Sequence, residues 1–253
     1  MTKNYRIDLN CDLGEGEPLA HTRALMNQIT SANVACGGHA GGLRSMLACV
    51  ELAKRHDVRL GAHPGQPGNF GRGAIRINGD DLEMLLVQQV STLATIAWWG
   101  GVLLHHVKLH GALYHAVENS SELARRYLDV VSRYWPRLRV YAMSGGLVAR
   151  FASAAGIEVW QEAFADRAYE NSGKLAPRAS AGAVLTKLNA VLDQTKSIVQ
   201  NGEVTSSRGK RLRVSAQTIC LHSDTPGAVR LAKGVAEILT VQTNCDGNRT
   251  AAR

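Results

Sequence analysis

At 253 residues, of which 45% are hydrophobic, the chain is long enough for one large α/β barrel, which typically needs about 250 residues. Its formal net charge is +8, and the basic residues that produce it are scattered along the chain. The densest basic stretch, residues 208–213, has no aromatic side chain on which a base could stack, so we expect no nucleic-acid partner. No stretch approaches the ~20 apolar residues that span a bilayer, and residues 1–9 lack the apolar core of a signal peptide, so we expect no membrane partner.

Short apolar runs alternate with segments whose apolar residues recur at helical spacing, which is the pattern of βα units around a parallel sheet. The predicted strands cover residues 6–13, 31–36, 59–63, 103–109, 138–144, 157–163 and 214–222. Two segments interrupt this alternation: a glycine- and proline-rich loop over 64–73, and a polar hairpin over 203–213 in which Gly209 takes a positive φ. We predict an α/β barrel, with one domain over 1–245 and a flexible tail over 246–253.

The helices are predicted from four apolar stripes, which lie within residues 82–96, 124–134, 184–198 and 228–239. Three residues are predicted to cap helix starts. Asn78 and Asn119 each stand three positions before an acidic residue, and Thr225 precedes a proline that suits the first helical position. The stripes indicate a buried core and not a cofactor site.

The cysteines bear on the cellular compartment. There are five of them, an odd number, and no two have the C-x-x-C spacing of a zinc ribbon or a redox pair. This pattern does not suit a disulfide framework and indicates a reducing compartment. We therefore expect a cytoplasmic protein that acts on a small-molecule substrate, and the sequence leaves open whether it forms a homo-oligomer.

Ionisable residues collect where six of the predicted strands end. In a barrel of βα units the loops after the strands converge on one face, which holds the active site. The candidate catalytic residues are Asp12, His39, His63, Lys108, His110 and Glu162. The candidate substrate-binding residues are Arg72, Asp166, Arg167, Tyr169, Arg178, His222 and Asp224. The three arginines are chosen because a guanidinium can hold a carboxylate or phosphate with a fork of donors.

Two classes of mechanism fit these residues. In the first, Asp12, His39, His63 and His222 hold a divalent metal ion that activates water. In the second, which we favour, no metal is needed: Lys108 neutralises developing negative charge, a carboxylate or histidine acts as general base, and another histidine acts as general acid. Lys108 would then be paired with Asp12 or Glu162, although a purely structural ion pair at the barrel mouth is the alternative.

The residues at these strand ends match a known family. The matching stretches are 7–16, 30–37, 39–41, 61–65, 106–108, 110–114, 164–169 and 222–228. Across these stretches the chain resembles the LamB/YcsF family, whose members form the A component of the biotin-independent bacterial 5-oxoprolinase. The resemblance implies an irregular TIM-like (β/α)7 barrel, similar to carbohydrate deacetylase barrels.

The resemblance also implies an activity, which is the ATP-dependent opening of the lactam of 5-oxo-L-proline to L-glutamate. Two companion subunits, B and C, take part. This chain has no G-x-x-x-x-G-K-[ST] phosphate loop, so we expect ATP to enter through the complex and not through a motif of this chain.

The chain departs from the family pattern near the expected pocket. Gly38 replaces a phenylalanine, Gly42 an aspartate, Leu109 a proline and Gly73 a second arginine. Smaller departures lie at Gln66, Gly68 and His115, and the segment 17–27 is shortened. The candidate catalytic residues remain, which implies retained hydrolase chemistry with an altered substrate or efficiency. The alternatives are a metal-dependent deacetylase or amidohydrolase of the same barrel class, and a degenerate barrel that serves as a non-catalytic subunit.

Overall fold

The computed structural model describes residues 7–68 and 75–250, with side chains up to residue 240. Seven parallel strands close into a barrel in the order β1-β2-β3-β4-β5-β6-β9, and β7 and β8 form a separate two-stranded sheet. The strands are β1 Asp8–Leu13, β2 Ser31–Ala35, β3 Arg59–His63, β4 Leu104–Val107, β5 Arg139–Met143, β6 Val159–Phe164, β7 Glu203–Thr205, β8 Arg211–Arg213 and β9 Thr218–Cys220. The predicted seven-stranded α/β barrel is confirmed.

In the part of the chain that the structure describes, eight helices surround the barrel strands or join them. They are α1 Leu19–Met26, α2 Leu43–His56, α3 Gly79–Trp99, α4 Gly111–Asn119, α5 Ser121–Tyr134, α6 Leu147–Ala154, α7 Leu188–Asn201 and α8 Ala228–Thr250. The predicted apolar stripes face the core with two exceptions. Tyr134 at the end of α5 is exposed, and Val184 lies before the start of α7, in an isolated bridge with Arg167. Helix α8 continues through residue 245, where the predicted tail begins. None of the described helices combines the length and apolar character needed to cross a membrane.

One of the three predicted helix caps is confirmed and two are wrong. Asn78 accepts a hydrogen bond from the Asp81 backbone at the start of α3. Asn119 is instead the last residue of α4. Ser120 caps α5, because its hydroxyl accepts a hydrogen bond from the Leu123 backbone N–H. Helix α8 begins at Ala228 and not after Thr225, because Gly227 has a left-handed backbone with φ of 78° that a helix cannot include.

The hairpin predicted over 203–213 is present. Strands β7 and β8 pair antiparallel, and Gly209 in the turn has φ of 80°, a value that suits glycine because it has no Cβ. The four cysteines whose side chains are described are free and buried. That result agrees with the expectation that the chain carries no disulfide framework.

Strand β1 shows how the barrel acquires a polar interior. Leu9, Cys11 and Leu13 are fully buried in the apolar core. Their neighbours Asp8 and Asn10 bond to side chains of other barrel strands: Asp8 accepts from Ser31, Thr218 and Arg59, and Asn10 donates to Glu162 and Thr218. Strand side chains alternate between two faces, so one strand supplies both the apolar layer and a polar column. That column leads to Asp12 at the end of the strand.

Glycine at position 61 is required by the packing inside this column. A Cβ there would lie 2.0 Å from His106 Nε2. The His106 ring cannot move away easily, because it stacks on Tyr141 with ring centroids 3.8 Å apart and bonds to Asn33 at 2.7 Å. The register of β3 against β4 also shifts at this glycine. Strand β4 is shorter than the predicted range 103–109, and Leu103, the residue before its first residue, is exposed.

We expect Gly61→Ala to lower the free energy of unfolding by about 1–3 kcal/mol, the usual cost of overpacking a well-filled interior. Urea denaturation of the purified protein measures this. The control is Gly42→Ala, because Gly42 has an extended backbone and no atom within 4 Å of its Cβ position; it should cost less than about 1 kcal/mol. Equal effects of the two substitutions would contradict the packing argument.

Candidate active site

The loops after the barrel strands surround a cavity of about 730 Å³. A smaller cavity of about 50 Å³ shares part of its wall and is lined by Lys108, Tyr114 and Phe164. Among the candidate residues, the larger cavity touches Asp12, His110, Arg167, Arg178 and His222. Candidates from the ends of four different strands therefore meet around one cavity.

A buried ammonium group lies beside the smaller cavity. Lys108 is 2% exposed, and its Nζ lies 2.9 Å from Asp12 Oδ1, 3.0 Å from Glu162 Oε1 and 3.0 Å from Cys220 Sγ. Burial alone would lower the pKa of Lys108, but the charge of Asp12, with Cys220 and Glu162, outweighs it and raises the pKa well above its usual value. Lys108 is therefore a permanent cation in this site.

The two carboxylates beside Lys108 are perturbed in opposite directions. Burial favours the neutral form of Asp12, but His63 and Lys108 outweigh burial and hold its pKa well below the usual value. For Glu162 burial dominates over Lys108, so its pKa is raised. The charge of Glu162 also adds to burial in raising the pKa of Tyr114. Tyr114 Oη and Glu162 Oε2 have no hydrogen bond of normal geometry to any described atom.

An aspartate–histidine pair forms another part of the wall. His222 Nδ1 lies 3.0 Å from Asp166 Oδ1, and Asp166 Oδ2 accepts from the Thr225 hydroxyl and from the His222 backbone. Burial would raise the pKa of Asp166, but His222 and these hydrogen bonds lower it. Asp166 is fully buried and so orients His222 from behind. The Thr225 hydroxyl, predicted to cap a helix, serves this pair instead.

Four side chains from the loops after β1 to β4 form a second polar group. Glu15 Oε1 lies 2.7 Å from His39 Nε2, 2.9 Å from His110 Nδ1 and 3.7 Å from His63 Nε2. His63 and His110 are also 3.1 Å apart, from Nε2 to Nδ1. We call these four residues the histidine cluster. The sequence prediction missed Glu15, although it lies in the matched stretch 7–16, three residues after Asp12.

The four residues predicted as metal ligands fall into two adjoining groups. His39 and His63 belong to the histidine cluster, whereas Asp12 and His222 lie in a group with Cys220. His63 Nε2 and Asp12 Oδ2 are 3.5 Å apart across the two groups. Lys108 stands in that second group, within 3.0 Å of both Asp12 and Cys220. The Lys108 ammonium would therefore compete with a metal ion for Asp12 and Cys220.

Some of the remaining candidate residues line the cavity, and others support the surrounding structure. Arg167 lines the cavity but donates to the carbonyls of Ala176 and Ala183, so it holds the cavity loop. Arg178, also in the wall, is paired with Asp224. Tyr169 is buried, and its hydroxyl accepts from the Phe164 backbone. Arg72 lies outside the described residues.

At one departure from the family pattern, another side chain fills the space. A Cβ on Gly38 would lie 2.1 Å from Gly65 O and 2.4 Å from Gln89 Nε2. The Gln89 amide makes two hydrogen bonds to Gly65, at 3.0 and 2.8 Å. Gln89 of α3 therefore supports this loop, and Gly38 leaves room for it. At another departure, Leu109 is buried in the core.

Comparison with known proteins places this site in a family. The sequence matches the LamB/YcsF family over residues 7–247. The chain belongs to the LamB/YcsF family. It is 39% identical over 239 residues to the 5-oxoprolinase A subunit of Syntrophobacter fumaroxidans, covering 92% of this chain and 94% of that one. It is 41% identical over 235 residues to the protein of the same name from Heliobacterium modesticaldum, covering 91% and 92%.

A solved structure agrees with this family membership. The "Lactam Utilization Protein" of Thermus thermophilus superposes with a TM-score of 0.84 at 34% identity, covering 92% of this chain and 96% of that one. This family member therefore keeps the barrel of a relative whose sequence differs at about two thirds of the positions.

The buried histidine of the polar column predicts a pH dependence. Burial, with lesser effects from His105 and Lys108, lowers the pKa of His106 well below its usual value, so only the unfolded chain takes up its proton as the pH falls below about 6.5. The stability that neutral His106 confers is therefore complete above pH ~6.5 and is lost as the pH falls. Between about pH 6 and 5, His106 makes the free energy of unfolding fall by about 1.4 kcal/mol for each pH unit of acidification. His106→Gln should remove this contribution.

Urea denaturation of both proteins at several pH values measures this difference. Parallel slopes for the wild type and His106→Gln would show that His106 is charged in the folded protein. The buried, neutral column described above would then be incorrect.

Proposed function

We propose that this chain is the A subunit of an ATP-dependent 5-oxoprolinase, which opens the lactam of 5-oxo-L-proline to L-glutamate with two companion subunits, B and C. The relatives that carry the name of this A subunit support the proposal. The observation that carries it is the buried ammonium of Lys108, compensated by Asp12 and Glu162 and lining a cavity that His222 also lines. Opening a lactam requires such a cation near a proton-transferring group.

The chemistry explains why companion subunits are needed. A lactam carbonyl is a poor electrophile, and transfer of a phosphoryl group to its oxygen makes the carbon more reactive. The sequence contains no G-x-x-x-x-G-K-[ST] loop. We therefore assign ATP binding and phosphoryl transfer to the companion subunits and attack by water to the cavity of this chain.

In this scheme Lys108 holds the phosphorylated lactam oxygen and neutralises the negative charge of its phosphoryl group. Its longest polar contact, 3.3 Å to Asn10 Oδ1, is the one it exchanges most readily for the substrate. His222, oriented by Asp166, accepts the proton of the attacking water. A proton is delivered to the ring nitrogen as the C–N bond breaks, which leaves the amine and an acyl phosphate. A second water then hydrolyses the acyl phosphate to the carboxylate and inorganic phosphate.

The substrate carboxylate needs a cationic partner in the cavity wall. Arg178 lies in the cavity wall and is held by Asp224. A guanidinium has five N–H donors, so one ion pair leaves others free for a second carboxylate. Asp224 therefore positions Arg178, and Arg178 binds the substrate.

A metal-dependent amidohydrolase of the same barrel class is the second candidate, and the histidine cluster is the observation that favours it. The two functions differ in their requirements. The 5-oxoprolinase needs ATP and both companion subunits, whereas the amidohydrolase works alone, loses activity with a chelator and regains it with zinc.

Lys108→Ala should lower ATP-dependent glutamate release by at least about 100-fold in the reconstituted three-subunit complex, the usual effect of losing one group that stabilises an oxyanion. The control is Lys54→Ala, because Lys54 is exposed on α2 and bonds to the Gly100 carbonyl; it should retain full activity. Survival of activity in Lys108→Ala would show that the catalytic assignment is wrong and would favour a non-catalytic barrel.

A second variant separates catalysis from folding. Removing Lys108 leaves two buried carboxylates without their cation, which can cost about 3–5 kcal/mol of stability. His222 is partly exposed, so His222→Gln should fold normally and still lose at least about 100-fold in rate, the low end for a general base. Absence of ATP-dependent glutamate release in the wild-type complex would refute the activity itself.

A further inference from the structure

We propose that Glu15, His39, His63 and His110 bind one divalent transition-metal ion at the wall of the large cavity. The four ligand atoms are Glu15 Oε1, His39 Nε2, His63 Nε2 and His110 Nδ1, and all lie within 4.8 Å of one another. The site differs from the set predicted from sequence, because it uses Glu15 and His110 in place of Asp12 and His222. The proposal does not depend on the proposed activity.

The spacing of the ligand atoms fits a small metal ion. A tetrahedral ion with bonds of about 2.0–2.1 Å holds neighbouring ligand atoms about 3.4 Å apart. Four of the separations in the histidine cluster are 2.7, 2.9, 3.1 and 3.7 Å. Outward movements of a few tenths of an ångström would complete the site. Three imidazole nitrogens and one carboxylate suit zinc, cobalt, nickel or ferrous iron, whereas magnesium and calcium prefer an all-oxygen set.

Contacts behind the ligands resemble those that orient histidines at metal sites. His63 Nδ1 lies 2.8 Å from the Lys108 carbonyl oxygen, which can only accept a hydrogen bond. The proton of neutral His63 is therefore on Nδ1, and the lone pair of Nε2 points toward the other ligands. Histidines that bind metals commonly donate their second ring nitrogen to a carbonyl in this way.

Glycine at position 65 allows the rings to approach each other. The rings of His39 and His110 stack with centroids 3.5 Å apart. A Cβ on Gly65 would lie 2.2 Å from His39 Nδ1 and 3.0 Å from His110 Cβ. Gln89 fixes this glycine with two hydrogen bonds. The backbone of the loop after β3 is thus shaped to bring His39 and His110 together.

The cluster also opens to the substrate space. Glu15 and His110 both line the large cavity, so an ion held here would have one side toward that space. The neighbouring group of Asp12, Cys220 and His222 does not offer an equivalent site. Lys108 lies beside two of its members, and His222 Nδ1 is engaged by Asp166.

The test measures the binding of the metal alone. Purified full-length protein is stripped with a chelator, dialysed and incubated with Co²⁺, and the retained metal is measured by elemental analysis and by visible d–d absorption. We expect about one Co²⁺ per chain, with the intense absorption of a four- or five-coordinate ion, and displacement by Zn²⁺. Retention of no Co²⁺ by the folded wild type would overturn the proposal.

Substitutions test which residues bind. Glu15→Gln and His63→Ala should each weaken Co²⁺ binding at least about 100-fold, because loss of a ligand costs no less than loss of a residue that orients one. His115→Ala and His222→Gln are matched controls, since both residues line the cavity outside the cluster, and they should retain one Co²⁺ with an unchanged spectrum. Circular dichroism confirms that each variant is folded.

Either of two results would contradict the assignment. One is an unchanged Co²⁺ stoichiometry and spectrum in both Glu15→Gln and His63→Ala. The other is loss of Co²⁺ in His222→Gln with retention in Glu15→Gln, which would return the site to the residues predicted from sequence. Because no substrate or companion subunit is present, failure here leaves the proposed 5-oxoprolinase activity to be judged by its own experiment.

Discussion

The burial of one ammonium group organises the interior of this barrel. Lys108 is surrounded by Asp12, Glu162, Cys220 and Asn10, each within 3.3 Å of its nitrogen. A buried charge is costly unless it is paired and hydrogen-bonded. The barrel therefore has to supply a set of fixed polar groups, and it does so from strands β1, β6 and β9.

The same requirement links the polar column to the site. Asn33 donates to both Asn10 and Asp12, and it accepts from His106. Each of these groups is buried and hydrogen-bonded, so a change in one alters the partners of the next. The floor of the cavity is consequently rigid. The groups with freedom to meet a ligand are those in the loops, such as His222, Arg178 and the histidine cluster.

The features that repeat along the chain could be predicted from the sequence. The strands and the convergence of Asp12, His63, Lys108 and His110 follow from hydrophobic period and barrel geometry, which act at every βα unit. The role of a single residue among similar neighbours could not be predicted in this way. Asn119 and Ser120 are adjacent and chemically similar as caps, and only the last turn of α4 decides between them.

Long-range contacts account for the remaining differences. The Thr225 hydroxyl has the sequence context of a cap, but it bonds to Asp166, 59 residues away in the sequence. The prediction missed Glu15 because its partners come from three other loops. Arg167 lines the cavity, and its hydrogen bonds to two carbonyls lie 9 and 16 residues along the same loop. For Thr225 and Glu15 the deciding partner is distant in sequence and has no local signal.

The most direct test of this account is a crystal structure of the protein with 5-oxo-L-proline bound. We predict that the lactam oxygen lies within hydrogen-bond distance of Lys108 Nζ, that His222 faces the carbonyl carbon, and that the substrate carboxylate contacts Arg178. A ligand bound away from the cavity, with Lys108 retaining only its protein contacts, would contradict the role assigned to this buried ammonium.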